Sequence, residues 1–291
     1  MARRRRDEGG AGPTGCCVVD KPPGCTSHDV VDRVRRALGT RRVGHAGTLD
    51  PDATGVLVVG VGRATRLLQF VTGTDKSYEC EIVFGVETST LDAGGQVTTT
   101  HDMGALDPGL VVEATSRFVG HIEQIPPMVS AVKIDGRRLH ELAREGQEVE
   151  RKPRSVRVDR FDVEPTEDPA VYRARVECSS GTYIRSLAAD LGATLGGGAH
   201  LRNLRRTRVG PFPLTDARPL DDLDLRPAVD LVGDLPRIEA DPELAGMVRA
   251  GRSLGPTPGS GRVAVVDGTG ELLAVYEATG GELKPAVVLV G

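Results

Sequence analysis

The chain has 291 residues, 39% hydrophobic and 27% charged, a balance that fits one large and one small globular domain. No apolar run approaches the roughly eighteen residues of a membrane span, so no membrane partner is expected. The net charge of -4 hides an asymmetry: residues 1–214 hold 30 Lys and Arg against 28 Asp and Glu, whereas 215–291 hold 7 against 13, so only the first part suits a polyanion.

In chain order, Arg3 to Arg6 open a basic, Gly-rich arm over residues 1–14 that has neither apolar periodicity nor the apolar core of a signal peptide, which predicts disorder and a cytoplasmic location. A strand around Cys16 to Val19 leads to a helix from about Thr26 to Leu38. Thr26 and Asp29 fit a capping box there, Val30, Val34 and Leu38 recur at helical spacing, and Gly39 is the natural stop. Val56 to Val59 reads as a buried strand, and Lys76 to Phe84 alternates with Tyr78, Cys80, Ile82 and Phe84 on one face. A helix near Leu110 to Val119 precedes Gln124-Ile125-Pro126-Pro127 and a basic, polar stretch from Lys133 to Arg154 that could fold over a ligand.

Tyr172, Ala174, Val176 and Cys178 alternate as a strand, Gly181-Thr182 turns the chain, and Ile184, Leu187, Ala188, Leu191 and Leu195 form a helical stripe. Strands mixed irregularly with helices imply an α+β domain over residues 15–214. Residues 215–236 read as a linker or helical segment, and the hairpin of Val263 to Val266, Asp267-Gly268 and Leu272 to Tyr276 places a small β domain at 237–291. The five cysteines are odd in number and lack zinc-ligand spacing, and Cys16 and Cys17 should face opposite sides of their strand, so they read as buried thiols. Cys16, Cys25 and His28 are the conceivable metal cluster, but none is expected.

The densest unusual stretch is Gly44-His45-Ala46-Gly47-Thr48-Leu49-Asp50-Pro51-Asp52-Ala53-Thr54-Gly55, a loop placed directly before a buried strand. Asp50 either shapes a turn before Pro51 or is a catalytic carboxylate, and with Asp52 it could also form a glycosidase pair or a metal site. In Gly181-Thr182-Tyr183-Ile184-Arg185, Thr182 as N-cap would put Arg185 in the first helical turn, where a cation opposes the helix dipole. An anion such as Asp50, paired in bidentate geometry, would compensate; otherwise the arginine reaches solvent. Gly60-Val61-Gly62-Arg63-Ala64-Thr65 lacks the third glycine of a dinucleotide fingerprint, and no Walker sequence occurs, so no cofactor is expected. Arginines cluster at Arg41-Arg42, Arg137-Arg138, Arg151 to Arg157, and Arg202, Arg205, Arg206 and Arg208, which suits local phosphate contacts and equally fits solvated surface arginines.

Together, Asp20-Lys21-Pro22, the Gly44 to Gly55 loop, Asp75-Lys76-Ser77-Tyr78, Gly181 to Arg185 and Gly198-Ala199-His200-Leu201-Arg202-Asn203-Leu204-Arg205-Arg206 resemble the TruB family of bacterial tRNA pseudouridine synthases over about residues 15–210. Gln124 to Arg154 resembles the family's RNA-gripping insertion. The resemblance implies a mixed, mainly antiparallel sheet with flanking helices, followed by a PUA-like C-terminal domain. It further implies an enzyme that isomerises uridine 55 in the tRNA T loop without cofactor or metal; the compact chain is expected to act as a monomer and without guide RNA. By the same resemblance Asp50 is the essential aspartate, Arg185 pairs with it, Tyr78 packs against the target base and Leu204 lines its pocket. His45 fills the T-loop space left by the flipped base, and Lys21 and Tyr183 stand near the site. Asp52 departs from the family pattern, and a second charge there raises the Asp50 pKa unless it points outward. The competing class is an RNA chaperone that grips tRNA without chemistry; a guide-dependent synthase is the nearer rival.

Overall fold

Alternating apolar residues build most of the molecule. The computed structural model describes residues 12–130, 133, 134, 136–139, 145, 147, 149–256 and 260–290. Most of the N-terminal arm and much of the Lys133 to Arg154 stretch therefore lie outside the described residues. The strands are β1 (Gly15–Lys21), β2 (Val43–His45), β3 (Thr54–Val61), β4 (Lys76–Phe84), β5 (Val86–Thr88), β6 (Val97–Thr100), β7 (Gly120–Gln124), β8 (Lys133–Ile134), β9 (Arg137–Arg138), β10 (Arg154–Pro165), β11 (Val171–Cys178), β12 (Ala199–Val209) and β13 (Phe212–Pro213), then β14 (Arg237–Glu239), β15 (Leu254–Pro256), β16 (Arg262–Val266), β17 (Leu272–Thr279) and β18 (Glu282–Val288). The helices are α1 (Ser27–Ala37), α2 (Leu68–Thr72), α3 (Pro108–Ser116), α4 (Ile184–Thr194) and α5 (Pro242–Arg249). No described helix is long and apolar enough to cross a membrane.

The large sheet runs β1-β3-β12-β4-β11-β10-β7, with β2 on β3 and β13 on β12; only the β12–β3 pairing is parallel. On its β4 half, Tyr78, Cys80, Ile82 and Phe84 face a core closed by Val111 and Ala114 of α3 and Ile184, Leu187 and Leu191 of α4. On its β1 half the strands are buried on both faces, so Cys16 and Cys17 enter two different cores, Cys17 with Val30 and Val34 of α1. The expected capping box is formed: Thr26 accepts from the Asp29 amide, and Asp29 accepts from the Thr26 amide at 2.8 Å.

Residues 215–236 do more than join two sheets. Arg218 and Arg226 pair by backbone with β1 (Arg218 N to Val18 O 2.9 Å, Arg226 N to Cys16 O 2.8 Å), covering an edge that would otherwise present unpaired amides. The second sheet, β14-β16-β17-β18-β15, follows. Asp267 holds the β16–β17 turn by accepting from the Thr269 and Glu271 amides.

Candidate active site

The Gly44 to Gly55 loop joins β2 to β3 and is held from beneath by three buried side chains. Ser27, at the start of α1, donates from Oγ to Leu49 O and accepts from Leu49 N at 2.9 Å. Lys21 is fully buried, and its ammonium donates to Pro51 O (2.8 Å), Ala53 O (2.7 Å) and Pro22 O (3.0 Å). Arg206 of β12, equally buried, donates to Val56 O (2.8 Å), Gly47 O (3.0 Å) and Thr48 O (3.4 Å). The loop can lie this close because Gly55, at φ +99, has no Cβ; one would stand 2.1 Å from Arg206 O. Each carbonyl taken by a cation removes a degree of freedom from the segment that carries Asp50.

Asp50 stands at the mouth of this arrangement with 42% of its side chain exposed, and its Oδ2 lies 3.2 Å from Nη2 of the nearly buried Arg185. The pairing is not the bidentate fork expected from the sequence. Arg185 divides itself, with Nη1 3.3 Å from Asp92 Oδ2 and further donation to Thr90 O (3.0 Å) and Val129 O (2.8 Å). Nor is Thr182 the N-cap. Its hydroxyl turns back to Ser179 O, Tyr183 is the capping residue, and the Gln124 side chain accepts from Tyr183 N and donates to Tyr183 O. Gln124 thus fixes the backbone of the capping residue from another part of the chain without capping the first-turn amides, and Arg185 remains in the first turn of α4.

Burial pushes the Asp50 carboxyl above its ordinary value of 3.8; Arg185 opposes this, Asp92 adds to it, Lys21 opposes it and Asp52 adds least. Asp52 itself is exposed and turned toward Gly94. Tyr78 is buried in the β4 core beside Arg206, and Leu204 packs partly buried against the same cluster. Burial raises the Tyr78 phenol pKa, so the ring carries no charge. His45 meets the exposed His28 ring edge to face at 5.5 Å. Burial, then His28 and Arg206, lower the His45 pKa to about 4, against an opposing contribution from the Gly47 backbone, so a neutral ring faces the site. Tyr183 is half-buried at the head of α4.

The structure therefore brings Asp50 and Arg185 into contact, puts Tyr78 and Leu204 on one wall, and leaves Lys21 beneath the loop as an anchor. Sequence reasoning missed Asp92, Ser27, Gln124 and the burial of Arg206. Asp92 sits in the short turn Thr90 to Gly95, where only an Asp-Ala-Gly-Gly run hinted at a fixed geometry. Beside His45, Arg41, Arg42, Arg63 and Arg66 line a cleft of about 710 Å³ that ends on Val288 to Val290. Among the described residues no cluster of three or more His, Cys, Asp or Glu is placed to hold a metal.

Three family models cover most of the chain: TruB family pseudouridylate synthase (N terminal domain) at residues 35–184, tRNA pseudouridylate synthase B C-terminal domain at 185–228, and tRNA Pseudouridine synthase II, C terminal at 235–290. A chain matched this way is a pseudouridylate synthase, an isomerase that converts uridine to pseudouridine. The chain is 48% identical over 284 residues to tRNA pseudouridine synthase B of Mycobacterium sp. (strain KMS), covering 94% of this chain and 96% of that one. It is 47% identical over 291 residues to the protein of the same name from Thermobifida fusca (strain YX), covering 95% and 99%. The fold matches an H/ACA RNP bound to a substrate RNA containing 2'-deoxyuridine with a TM-score of 0.73 at 24% identity, over 95% of this chain and 85% of that one. The chain belongs to the TruB family.

Proposed function

We propose that this chain is a tRNA pseudouridine synthase that isomerises uridine 55 of the T loop, with Asp50 as its catalytic carboxylate. The observation that carries the reading is the Asp50–Arg185 contact: a partly open carboxylate, its ionised form favoured by a buried cation against the effect of burial, beside Tyr78 and Leu204. A negative charge facing anionic RNA is unfavourable for a pure binder, so its retention favours chemistry. Asp50 attacks ribose C1′ or base C6, or removes a proton from C2′; in each route the C1′–N1 bond breaks, the captive uracil turns in place, C5 bonds to C1′, and C5 loses its proton while N1 gains one. A stacked T-loop uridine is out of reach of Asp50, so the base must flip, and stacking on Tyr78 offsets the stacking it loses. Neutral His45 fills the vacated space, Tyr183 frames the entrance, and the arginine cleft beside His45 takes phosphates of the folded RNA.

Mass-spectrometric mapping of unmodified tRNA transcript, incubated with wild type or Asp50→Asn and without cofactor or guide RNA, tests this. Wild type is expected to convert the T-loop uridine and Asp50→Asn to convert none while binding tRNA within a few-fold of wild type. Turnover by Asp50→Asn would exclude Asp50 as catalyst; a folded wild type that binds but never converts would favour the chaperone.

A further inference from the structure

Strand β12 changes face halfway along its length. Ala199 and Leu201 stand opposite Phe84 and Ile82 of β4 and share their core, while Arg202 stands opposite Glu81 on the outer face. Beyond this the count differs between the strands: Arg205 stands opposite Glu79, and Arg206 opposite Tyr78. One residue is extra on β12 here, a β-bulge at Asn203 and Leu204 where Asn203 has φ 54; a second slip follows between Arg206 and Arg208, beyond the residues that face the pocket and the loop.

The consequence follows from the two-residue period of a strand, because a slip of one residue exchanges faces. In an unbroken ladder Leu204 would oppose Glu79 and point outward, Arg205 would oppose Tyr78 in the pocket wall, and Arg206 would oppose Ser77 outside. The bulge reverses all three. Leu204 packs with the Tyr78 cluster, Arg206 is buried on the carbonyls of Gly47, Thr48 and Val56, and Arg205 stays outside on Asp20 Oδ2 (2.7 Å). On the outer face, Glu81 Oε2 accepts from both Asn203 Nδ2 (3.0 Å) and Arg202 Nε (2.6 Å), pinning the strand at the point where the register slips.

We propose that Asn203 is a positioning residue for the isomerisation: its left-handed backbone sets the register that delivers Leu204 to the uridine pocket and Arg206 to the loop carrying Asp50. Asparagine enters this region of backbone space far more readily than a β-branched residue, which resists it and favours the regular strand. The inference rests on the reading of Asp50, Tyr78 and Leu204 given above.

The test uses full-length Asn203→Gly, Asn203→Ala, Asn203→Val and, as a separate arm, Leu204→Ala. Single-turnover conversion of tRNA transcript, tRNA affinity measured in an Asp50→Asn background, and the thermal midpoint are read for each. Activity should rank by tolerance of positive φ, with Gly close to wild type, Ala between, and Val slower by about a hundred-fold, the scale of an ångström-sized misplacement. Affinity should change little. A wild-type rate for Asn203→Val overturns the proposal, as does a loss with Gly equal to that with Val, or a loss of rate that merely follows loss of affinity and melting. Should the Val variant fail to fold, the Gly-to-Ala step still carries the ranking. Leu204→Ala at wild-type rate would instead sink the pocket reading on which the proposal rests, whatever Asn203 does.

Discussion

Arg185 divides one positive charge between two carboxylates, and the division has a measurable sign. Burial holds the Asp50 pKa above 3.8, Arg185 pulls it down and Asp92 pushes it up. In the proposed reaction Asp50 acts as the ionised carboxylate, so the rate should be present above the Asp50 pKa and be lost as pH falls through it. Arg185→Gln removes the downward contribution and should move this acid limb to higher pH, whereas Asp92→Asn removes an upward one and should move it lower. A pH profile of single-turnover rates checks both, and limbs moving together would defeat the assignment. Arg185→Lys should be slow at every pH, because one ammonium cannot span two carboxylates and two carbonyls lying in different directions. His45, with its pKa near 4, should add no limb at neutral pH.

At the scale of elements, the start of α1 carries two devices on adjacent residues, Thr26 and Ser27, with different roles. The Thr26–Asp29 capping box serves the helix alone, while Ser27 exchanges two hydrogen bonds with the Leu49 backbone, next to Asp50. Thr26→Ala should cost about 1 kcal/mol of stability and leave the rate unchanged. Ser27→Ala strands two buried backbone groups, which should cost about 2 kcal/mol and slow isomerisation with tRNA affinity preserved. Denaturant midpoints and single-turnover rates decide; equal rates for the two variants would show that the α1 contact does not position Asp50. The same contrast marks what was legible in the sequence. The capping box, the alternation from Tyr78 to Phe84 and the stripe from Ile184 to Leu195 are local patterns, and each forms where its period places it. The face of Arg206, the cap of α4 and the second carboxylate on Arg185 depend on a bulge, on Gln124 fifty-nine residues away from Tyr183, and on a turn from another part of the chain, none of which leaves a periodic trace.

At the scale of the molecule, the two sheets share one core. Val56 and Val58 of β3 and Leu67 and Leu68 beside them pack with Val229, Leu231 and Val232 and with Val266, Leu272, Val275 and Val287 of the second sheet. Arg63 and Arg66 add hydrogen bonds to Leu289 O and Val288 O. Independent folding of the C-terminal sheet would leave this apolar surface open on both sides, at a cost proportional to the area exposed. The acidic C-terminal region therefore has a structural reason to be present that does not depend on contacting RNA. Leu272 and Leu273, adjacent on β17, point to different cores: Leu272 to the shared one, Leu273 to the one closed by Val248 of α5. If the sheets unfold as one unit, each Leu→Ala should lower global stability by about 2–5 kcal/mol and speed hydrogen exchange at Val56 to Val59 in β3. If instead the second sheet opens alone, exchange in β3 would stay at the wild-type rate in Leu273→Ala, and calorimetry would resolve two transitions. A single transition with faster β3 exchange in both variants would mean that the loop carrying Asp50 owes part of its rigidity to the C-terminal sheet, with which its Ala46 shares a core.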